Sequence, residues 1–339
     1  MVAQSKIAII AIIIIIPLVS VVLWSNENTE NLEISGDELQ VYVSFYPLYE
    51  TTQAVIGDKA DVKILTPPNI DPHDFDPSVK VIQEMKTADL IILNGGGFES
   101  WISDLEFESD QLLDSSNGIS FLKTKSIAHH EEYDDHDEHA KEDEHDEHEE
   151  HDEHEEHEEH EEHEEHAVVS DPHIWLNPNL VKIQVKNIAE RLSKIDPANS
   201  ESYNKNALEY VEKLELLDLQ IREELSSCSK KDFITYHNAF SYFSTEYGLT
   251  QHTITKGVHD HSQPTAKSIE DIIDLAIELD IRVIFAEDTS DIRISQVIAD
   301  EIVADVLILS PVATEDTENK NYFERMQQNT SNLKEALCN

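Results

Sequence analysis

The sequence predicts an α/β protein of two βα-type lobes with parallel sheets, joined by one long rigid helix. Short apolar runs rich in β-branched residues alternate with helical segments between residues 41 and 122, and again from residue 233 onwards. This alternation is typical of βα units and parallel sheets. Between the two halves, residues 200–226 contain no glycine or proline and repeat apolar residues every three or four positions, which predicts a continuous helix. A ligand site is expected in the interlobe cleft.

The individual elements follow from the same patterns. In the first half, strands are predicted at 41–45, 62–65, 90–93 and 119–122, and helices at 48–56, 78–86 and 98–105. A further helix is predicted at 177–194, before the long one, whose apolar stripe is Leu208, Val211, Leu214, Leu217 and Ile221. In the second half, strands are predicted at 233–236, 253–255, 282–286 and 306–309, with helices after each.

These elements predict four parts of the chain. Residues 1–37 are a membrane anchor or signal and a linker, 38–199 the N-terminal lobe, 200–226 the linking helix and 227–339 the C-terminal lobe. Cys228 and Cys338 are the two cysteines of the chain. Outside the cell they could form a disulfide, and two unrelated free thiols explain them equally well.

The N-terminal segment predicts attachment to a membrane. Residues 7–24 are apolar and uncharged and would span about 27 Å as a helix, against a hydrocarbon core of about 30 Å. No A-x-A cleavage pattern follows Trp24, so we expect an uncleaved anchor, with a secreted form as the alternative. Lys6 precedes the run and acidic residues follow it, which places the body of the protein outside the cytoplasm.

The charge of the chain selects its partners. The formal net charge is −47, which excludes nucleic acid as a natural partner and favours cations. Residues 131–165 hold 23 of the acidic residues and a single lysine. Because this tract has almost no apolar residue, we expect a disordered insert on the N-terminal lobe at about 125–170.

Histidine recurs at every third position in the second part of this tract. A three-residue period drifts around a helix of 3.6 residues per turn, so it predicts no fixed four-ligand site. We expect the histidines to bind zinc weakly and to exchange it quickly, although a solvated spacer is the alternative. The auxiliary low-affinity ligands are His145, His148, His151, His154, His157, His160, His163 and His166.

Four residues outside the tract are the candidates for a high-affinity metal site. His237 and Glu287 directly follow predicted strands of the second half, and His73 lies in a loop that begins at a strand end. His173 follows the tract in SDPHIWLNP. Ligands of open α/β sheets bind beyond the carboxyl ends of the strands, so these positions together favour a metal site. Alone, each would be an ordinary loop residue.

Five segments, in this order, carry a resemblance to a known family. They are DPHDFDPS (71–78), ADLIILNGGGFESWI (88–102), DPHIWLNP (171–178), YHNAFSYFSTEYGL (236–249) and QPTAKSIEDII with RVIFAE (263–287). In these segments the chain resembles the zinc/manganese class (cluster A-I) of solute-binding proteins of ABC transporters, in its zinc-binding subgroup with a His-rich acidic loop.

The resemblance implies the site and its cargo. It implies a metal between the lobes, held by His73 and His173 from the first lobe and His237 and Glu287 from the second. Asp288, the next residue, is a rival fourth ligand. Zn²⁺ is favoured over Mn²⁺, because zinc accepts three imidazoles whereas manganese prefers oxygen. The anchor replaces the lipid-bearing cysteine that is usual in the class.

The functional expectation is therefore an extracytoplasmic, non-enzymatic, monomeric protein that delivers Zn²⁺ to an ABC permease. Two lobes that each supply two ligands would bind tightly only when closed, so a permease could release the ion by holding them apart. The alternatives are a manganese-binding member of the class, a surface protein that stores zinc without a transporter, and an anchored zinc hydrolase. A hydrolase needs an open coordination position for water, which four protein ligands would not leave.

Overall fold

The computed structural model describes residues 39–68, 70–127, 166–255, 263–287 and 292–338. The predicted N-terminal anchor and residues 128–165 of the histidine-rich tract lie outside these ranges, as does Asp288. Within the described ranges, none of the helices has both the length and the apolar character needed to cross a bilayer.

A four-stranded parallel sheet forms the centre of the first lobe, in the order β2-β1-β3-β4. Its central strands β1 and β3 are buried along their whole length, which is why they are continuous apolar runs rather than alternating ones. The strands are β1 (Val41–Val43), β2 (Val62–Ile64), β3 (Leu90–Leu93) and β4 (Leu112–Asp114).

The helices of the first lobe begin at local signals. Helix α1 (Tyr46–Ile56) has a proline in its first turn and ends at Gly57. Helix α2 (Val79–Met85) begins after Ser78, whose hydroxyl accepts a hydrogen bond from a backbone N–H in the first turn. Helix α3 (Pro178–Ile195) begins after Asn177, which caps it in the same way. The predicted helix at 98–105 is a short 3₁₀ segment, Ser100–Asp104.

The predicted strand at 119–122 is wrong. Residues 112–114 form the fourth strand instead, and the backbone N–H of Ile119 closes a turn onto the carbonyl of Ser116. A short apolar run does not distinguish a buried strand from a packed loop, and Gly118, with φ +89°, favours the turn.

The ends of the predicted insert are ordered. Strands β5 (Lys123–Ile127) and β6 (His166–Ser170) form an antiparallel ribbon. The two strands overlap both ends of the insert predicted at 125–170, so the predicted insert is too wide at each end. Both strands contain β-branched residues and lie outside the acidic run. His166, predicted as an auxiliary ligand, is the first residue of β6, opposite Ile127.

The second lobe repeats the architecture of the first. Its parallel sheet has the order β10-β9-β7-β8. The strand predicted at 253–255 lies three residues earlier than expected. The elements are β7 (Asp232–Thr235), α5 (Ser241–Tyr247), β8 (Thr250–Thr253), α6 (Ala266–Glu278), β9 (Val283–Ala286), α7 (Arg293–Ile302), β10 (Asp305–Ile308) and α8 (Tyr322–Cys338).

The long helix α4 (Ser200–Ser226) joins the lobes as one uninterrupted element. It packs against α1 and α3 of the first lobe and against α8 of the second. Leu214, Leu217 and Ile221 are buried as predicted, but Leu208 is 66% exposed. The buried face continues through Tyr210 and Ala207 instead, because α4 turns that side toward its neighbours. The two-lobed α/β fold with a long connecting helix is confirmed.

Cys228 and Cys338 form a disulfide, so both cysteines of the chain are paired. Cys228 lies just after α4, and Cys338 is the last residue of α8. The bond therefore ties the end of the long helix to the C-terminal helix across a sequence separation of 110 residues.

We expect reduction of this disulfide to destabilise the second lobe. Closing a loop of this length restricts the unfolded chain and stabilises the fold by about 5 kcal/mol in the chain-entropy description. Thermal unfolding with and without dithiothreitol measures the effect. The Cys228→Ser/Cys338→Ser variant is the control and should melt early under both conditions. An equal melting temperature for the oxidised and reduced wild type would contradict the expectation.

Candidate metal centre

The imidazoles of His73, His173 and His237 converge at the boundary between the lobes. The Nε2 atom of His173 lies 3.1 Å from Nε2 of His73 and 3.4 Å from Nε2 of His237. Zinc–nitrogen bonds of about 2.0–2.1 Å in a tetrahedral site separate neighbouring nitrogens by about 3.3–3.4 Å. Two of the three nitrogen pairs thus lie near the spacing of zinc ligands, and the potential ligand atoms of all three residues fall within 4.8 Å of one another.

Each histidine reaches the boundary from a loop that a strand or helix holds in place. His73 lies in the loop between β2 and α2, and His237 follows β7. His173 lies in the short connection between β6 and α3. His173 and His237 are buried, whereas His73 is partly exposed. A solvated ion therefore meets His73 first.

Buried carboxylates hold the rings of His173 and His237. Oδ1 of Asp171 lies 2.8 Å from Nδ1 of His173, and Oε1 of Glu287 lies 2.6 Å from Nδ1 of His237. A carboxylate only accepts, so Nδ1 of each ring is the donor. Nε2 of the His173 ring then presents a lone pair toward Nε2 of His73 and Nε2 of His237. A lone pair in this position can accept a proton from a neighbouring ring or bind a metal ion.

The protonation of these rings reflects two opposing effects. Burial lowers the pKa of His173, and Asp171 only partly opposes this. For His237, burial also disfavours the charged ring, but the Glu287 carboxylate outweighs it and raises the pKa. His173 is therefore neutral at physiological pH, as a metal ligand must be.

Glu287 lies beside the three-histidine cluster rather than within it. Its Oε1 also accepts a hydrogen bond from the backbone N–H of His237, at 3.2 Å. The residues with converging ligand atoms are the three histidines alone, among those described. The structure thus brings three of the four predicted ligands together and places the fourth behind the ring of His237. The rival ligand, Asp288, lies outside the described residues.

An aromatic wall, which our reading of the sequence missed, supports the histidines. Phe45, Phe98 and Trp175 contact one another with ring centroids 4.7–5.3 Å apart. The ring of His73 packs edge-on against Phe98 at 4.8 Å, and that of His173 lies 5.0 Å from Trp175. The wall fixes the imidazoles from behind and keeps water from that side. Only Trp175, two residues after His173, offered a signal in the sequence.

Sequence reasoning also missed the partner of His173, although the sequence repeats its motif. Asp-Pro-His occurs at 71–73 and again at 171–173. In both copies Oδ1 of the aspartate accepts a hydrogen bond from the backbone N–H of the histidine, at 2.9 and 3.0 Å. The repeated tripeptide therefore builds the same local turn twice, on two sides of one site.

Three glycines after β3 position a buried glutamate near the wall. Gly95, Gly96 and Gly97 all have positive φ, and a Cβ on Gly95 would lie 2.1 Å from a carboxylate oxygen of Asp114. The three residues therefore form a tight turn that other residue types rarely adopt. It brings Glu99 under the backbone N–H groups of Asn94 and Gly95, which donate to its carboxylate at 2.7 and 3.1 Å. Burial raises the pKa of Glu99 to about 7.

We expect Glu99 to make the fold less stable as pH rises. Its pKa is about 7 when folded, against an ordinary value of 4.5, so the folded state binds the proton more tightly. The contribution of Glu99 to the free energy of unfolding is greatest below its unfolded pKa. It declines by about 3 kcal/mol in all as the pH rises past the folded pKa. In Glu99→Gln, the free energy of urea unfolding should change less between about pH 5 and pH 8.

That experiment needs chelator in all samples, because zinc would add its own pH dependence. Glu50, a half-buried carboxyl whose desolvation raises its pKa to about 7, remains in both proteins and contributes equally. Parallel pH profiles for the wild type and Glu99→Gln would contradict the assignment.

Two cavities occur elsewhere in the structure. One of about 420 Å³ lies between β10 and α8, and one of about 180 Å³ lies near Tyr46 and Thr314. Neither is lined by the three histidines or Glu287. The predicted auxiliary histidines from His145 to His163 lie outside the described residues.

Comparison with known proteins agrees with this geometry. The family profile described as "ZnuA: Zinc-uptake complex component A periplasmic" matches residues 41–336. The chain belongs to the ZnuA family. It is 34% identical to the high-affinity zinc uptake system protein ZnuA of Bacillus subtilis, over 92% of each chain. It is 31% identical to the zinc-binding protein AdcA of Streptococcus pyogenes, covering 95% of this chain and 61% of AdcA.

Solved structures of the ZnuA family and its relatives share the fold. A crystal structure of ZnuA superposes with a TM-score of 0.70 at 26% identity, covering 89% of this chain and all of that one. The metal-dependent lipoprotein YcdH of Bacillus subtilis gives 0.68 at 30% identity, with 89% and 100% coverage. The laminin-binding protein Lmb of Streptococcus agalactiae, described as an adhesin with metal-transporting activity, gives 0.71 at 27% identity, with 88% and 99% coverage.

Proposed function

We propose that this protein binds Zn²⁺ outside the cytoplasm with high affinity and delivers it to an ABC permease. The observation that carries the proposal is the convergence of three Nε2 atoms, two of them on rings whose Nδ1 atoms face carboxylates. Membership of a zinc-uptake family and similarity to ZnuA and AdcA support the same cargo. The protein acts as a carrier and not as an enzyme.

The donor set favours zinc over manganese. Three imidazoles suit a borderline-soft ion, whereas Mn²⁺ prefers carboxylate and carbonyl oxygens. The carboxylate of Asp171 raises the basicity of the His173 ring. The manganese-binding alternative therefore has less support from these residues than zinc.

We assign the fourth ligand position to Glu287. In the structure one oxygen of this carboxylate contacts Nδ1 of His237, so ligation requires the side chain to turn toward the cluster. Glu287 is buried and follows β9 directly. Its charge offsets part of the charge of the ion, which lowers the cost of burying zinc among apolar rings.

Transport follows from the supply of ligands by both lobes. His73 and His173 belong to the first lobe, and His237 and Glu287 to the second. The ion therefore bridges the lobes, and a permease that disturbs their contact lowers the affinity. The N-terminal segment tethers the monomeric protein to the outer face of the membrane. The histidine-rich tract collects zinc weakly and passes it to the cleft.

We expect one tight zinc equivalent in the soluble body of the protein after removal of residues 128–165. Replacing His237 by alanine should weaken zinc binding more than about a hundredfold, since even the loss of an orienting partner costs 10–100-fold. A titration in competition with a chromogenic chelator measures this, with Mn²⁺ as the comparison. His252→Ala is the matched control, because His252 pairs with Asp232 on β8 and β7.

Either of two results would contradict the proposal. Unchanged zinc affinity in His237→Ala would show that the cleft is not the site. Tight binding that disappeared with residues 128–165 would instead favour a storage protein that uses the tract.

We expect Glu287→Gln to lose as much zinc affinity as Glu287→Ala. Glutamine retains an oxygen that can accept the hydrogen bond of His237 Nδ1, but a neutral amide is a poor zinc ligand. The same competition titration measures both variants. Near-normal affinity in Glu287→Gln with a large loss in Glu287→Ala would show that Glu287 orients His237 without binding the ion.

A further inference from the structure

The segment 171–175, which carries His173, is bonded to the second lobe at both of its ends. His173 itself belongs to the first lobe by chain connectivity, since α3 follows it directly and packs on α1. First-lobe groups hydrogen-bond the backbone of the segment at Asp171 and Pro172, but side chains and carbonyls of the second lobe also bond to both ends of the segment.

Tyr242, in α5, holds the first end of the segment. Its hydroxyl donates to the carbonyl of Asp171 at 2.7 Å and accepts from the backbone N–H of Leu122 at 3.0 Å. The N–H of Asp171 in turn donates to the carbonyl of Leu122 at 2.9 Å. One tyrosine hydroxyl thus joins the second lobe to the two residues that flank the β5–β6 ribbon, one before β5 and one after β6.

Tyr322, the first residue of α8, holds the other end. Its hydroxyl donates to the carbonyl of Trp175 at 2.8 Å. The indole N–H of Trp175 donates to the carbonyl of Pro311, after β10, at 2.8 Å. Tyr322 and Trp175 are both buried, so water does not compete for these bonds and their loss is costly.

The two ends connect directly to the ligand. Asp171 accepts hydrogen bonds from both the backbone N–H and the ring Nδ1 of His173, so a shift of Asp171 moves the imidazole. The ring of Trp175 packs against the same imidazole. Tyr242 is also five residues after His237 in the chain. The hydroxyl of Tyr242 therefore crosses the lobe boundary at Asp171, the residue that holds the ring of His173.

We propose that Tyr242 and Tyr322 are positioning residues of the metal centre, which hold His173 at ligand distance from His237 across the lobe boundary. This rests on the proposed function, because its readout is zinc binding. The two buried ligands form a preorganised pair, and preorganisation lowers the conformational cost of binding. Both hydroxyls remain protonated donors, since burial raises the pKa of Tyr242 to about 12 and that of Tyr322 well above its ordinary value.

Removal of single hydroxyl groups tests the proposal. In Tyr242→Phe and Tyr322→Phe, the zinc dissociation rate measured by chelator capture in stopped flow should rise about tenfold, at the lower limit for loss of an orienting partner. Tyr247→Phe is the matched control. Tyr247 lies in the same helix as Tyr242, and its hydroxyl donates to Asp218 at 3.0 Å. Its loss should leave zinc dissociation unchanged.

A second readout separates positioning from loss of stability. Co²⁺ in place of zinc gives ligand-field absorption bands that depend on the angles between the ligands. The bands should shift in Tyr242→Phe and Tyr322→Phe and remain as in the wild type in Tyr247→Phe. The melting temperatures of the three variants are measured as well, so that variants of similar stability are compared. Zinc dissociation rates and Co²⁺ spectra like those of the wild type in both Tyr242→Phe and Tyr322→Phe would overturn the proposal.

The outcome remains distinguishable from a failure of the proposed function. If the wild type binds zinc tightly and His237→Ala abolishes it, the proposed function holds whatever the tyrosine variants do. If Tyr247→Phe accelerates zinc release as much as Tyr242→Phe, the effect is one of general stability and the positioning role is wrong.

Discussion

The structure depends on three imidazoles, two of them buried, whose Nε2 atoms converge at a boundary between two lobes. Burying polar ring nitrogens costs free energy unless each one finds a partner. The rest of the fold compensates for this cost. Two parallel sheets present their carboxyl ends to the same boundary, and buried carboxylates orient the rings of His173 and His237.

The frame around the site is stiff where the ligands need a fixed separation. Helix α4 runs without interruption along both lobes, and a disulfide ties its end to α8. The segment around His173 crosses this frame, since it belongs to the first lobe in sequence but is hydrogen-bonded to the second. Separation of the lobes would break those buried bonds. A description in which each lobe carries two ligands independently is therefore incomplete, because the segment around His173 is bonded to both lobes.

The site combines rigid and accessible ligands. His173 and His237 are buried and held by carboxylates, whereas His73 is partly exposed and packs edge-on against Phe98. A carrier must bind an ion tightly and still exchange it. In the proposed site, the two buried imidazoles would supply affinity at low conformational cost, and the exposed one would let the ion enter and leave.

The sequence by itself determined the two α/β lobes and the long helix, because apolar periodicity is a local feature of the chain. Its resemblance to a known family in five segments, together with the strand ends, pointed to the three histidines. It misplaced a strand at 119–122 and the buried face near Leu208, where an apolar residue has two possible environments. Only the tertiary structure decided the partners of the site: Asp171 on His173, Glu287 behind His237, the aromatic wall, and the hydroxyls of Tyr242 and Tyr322. These contacts join residues far apart in the chain, and a hydrogen bond across a lobe boundary has no period or spacing that a sequence displays.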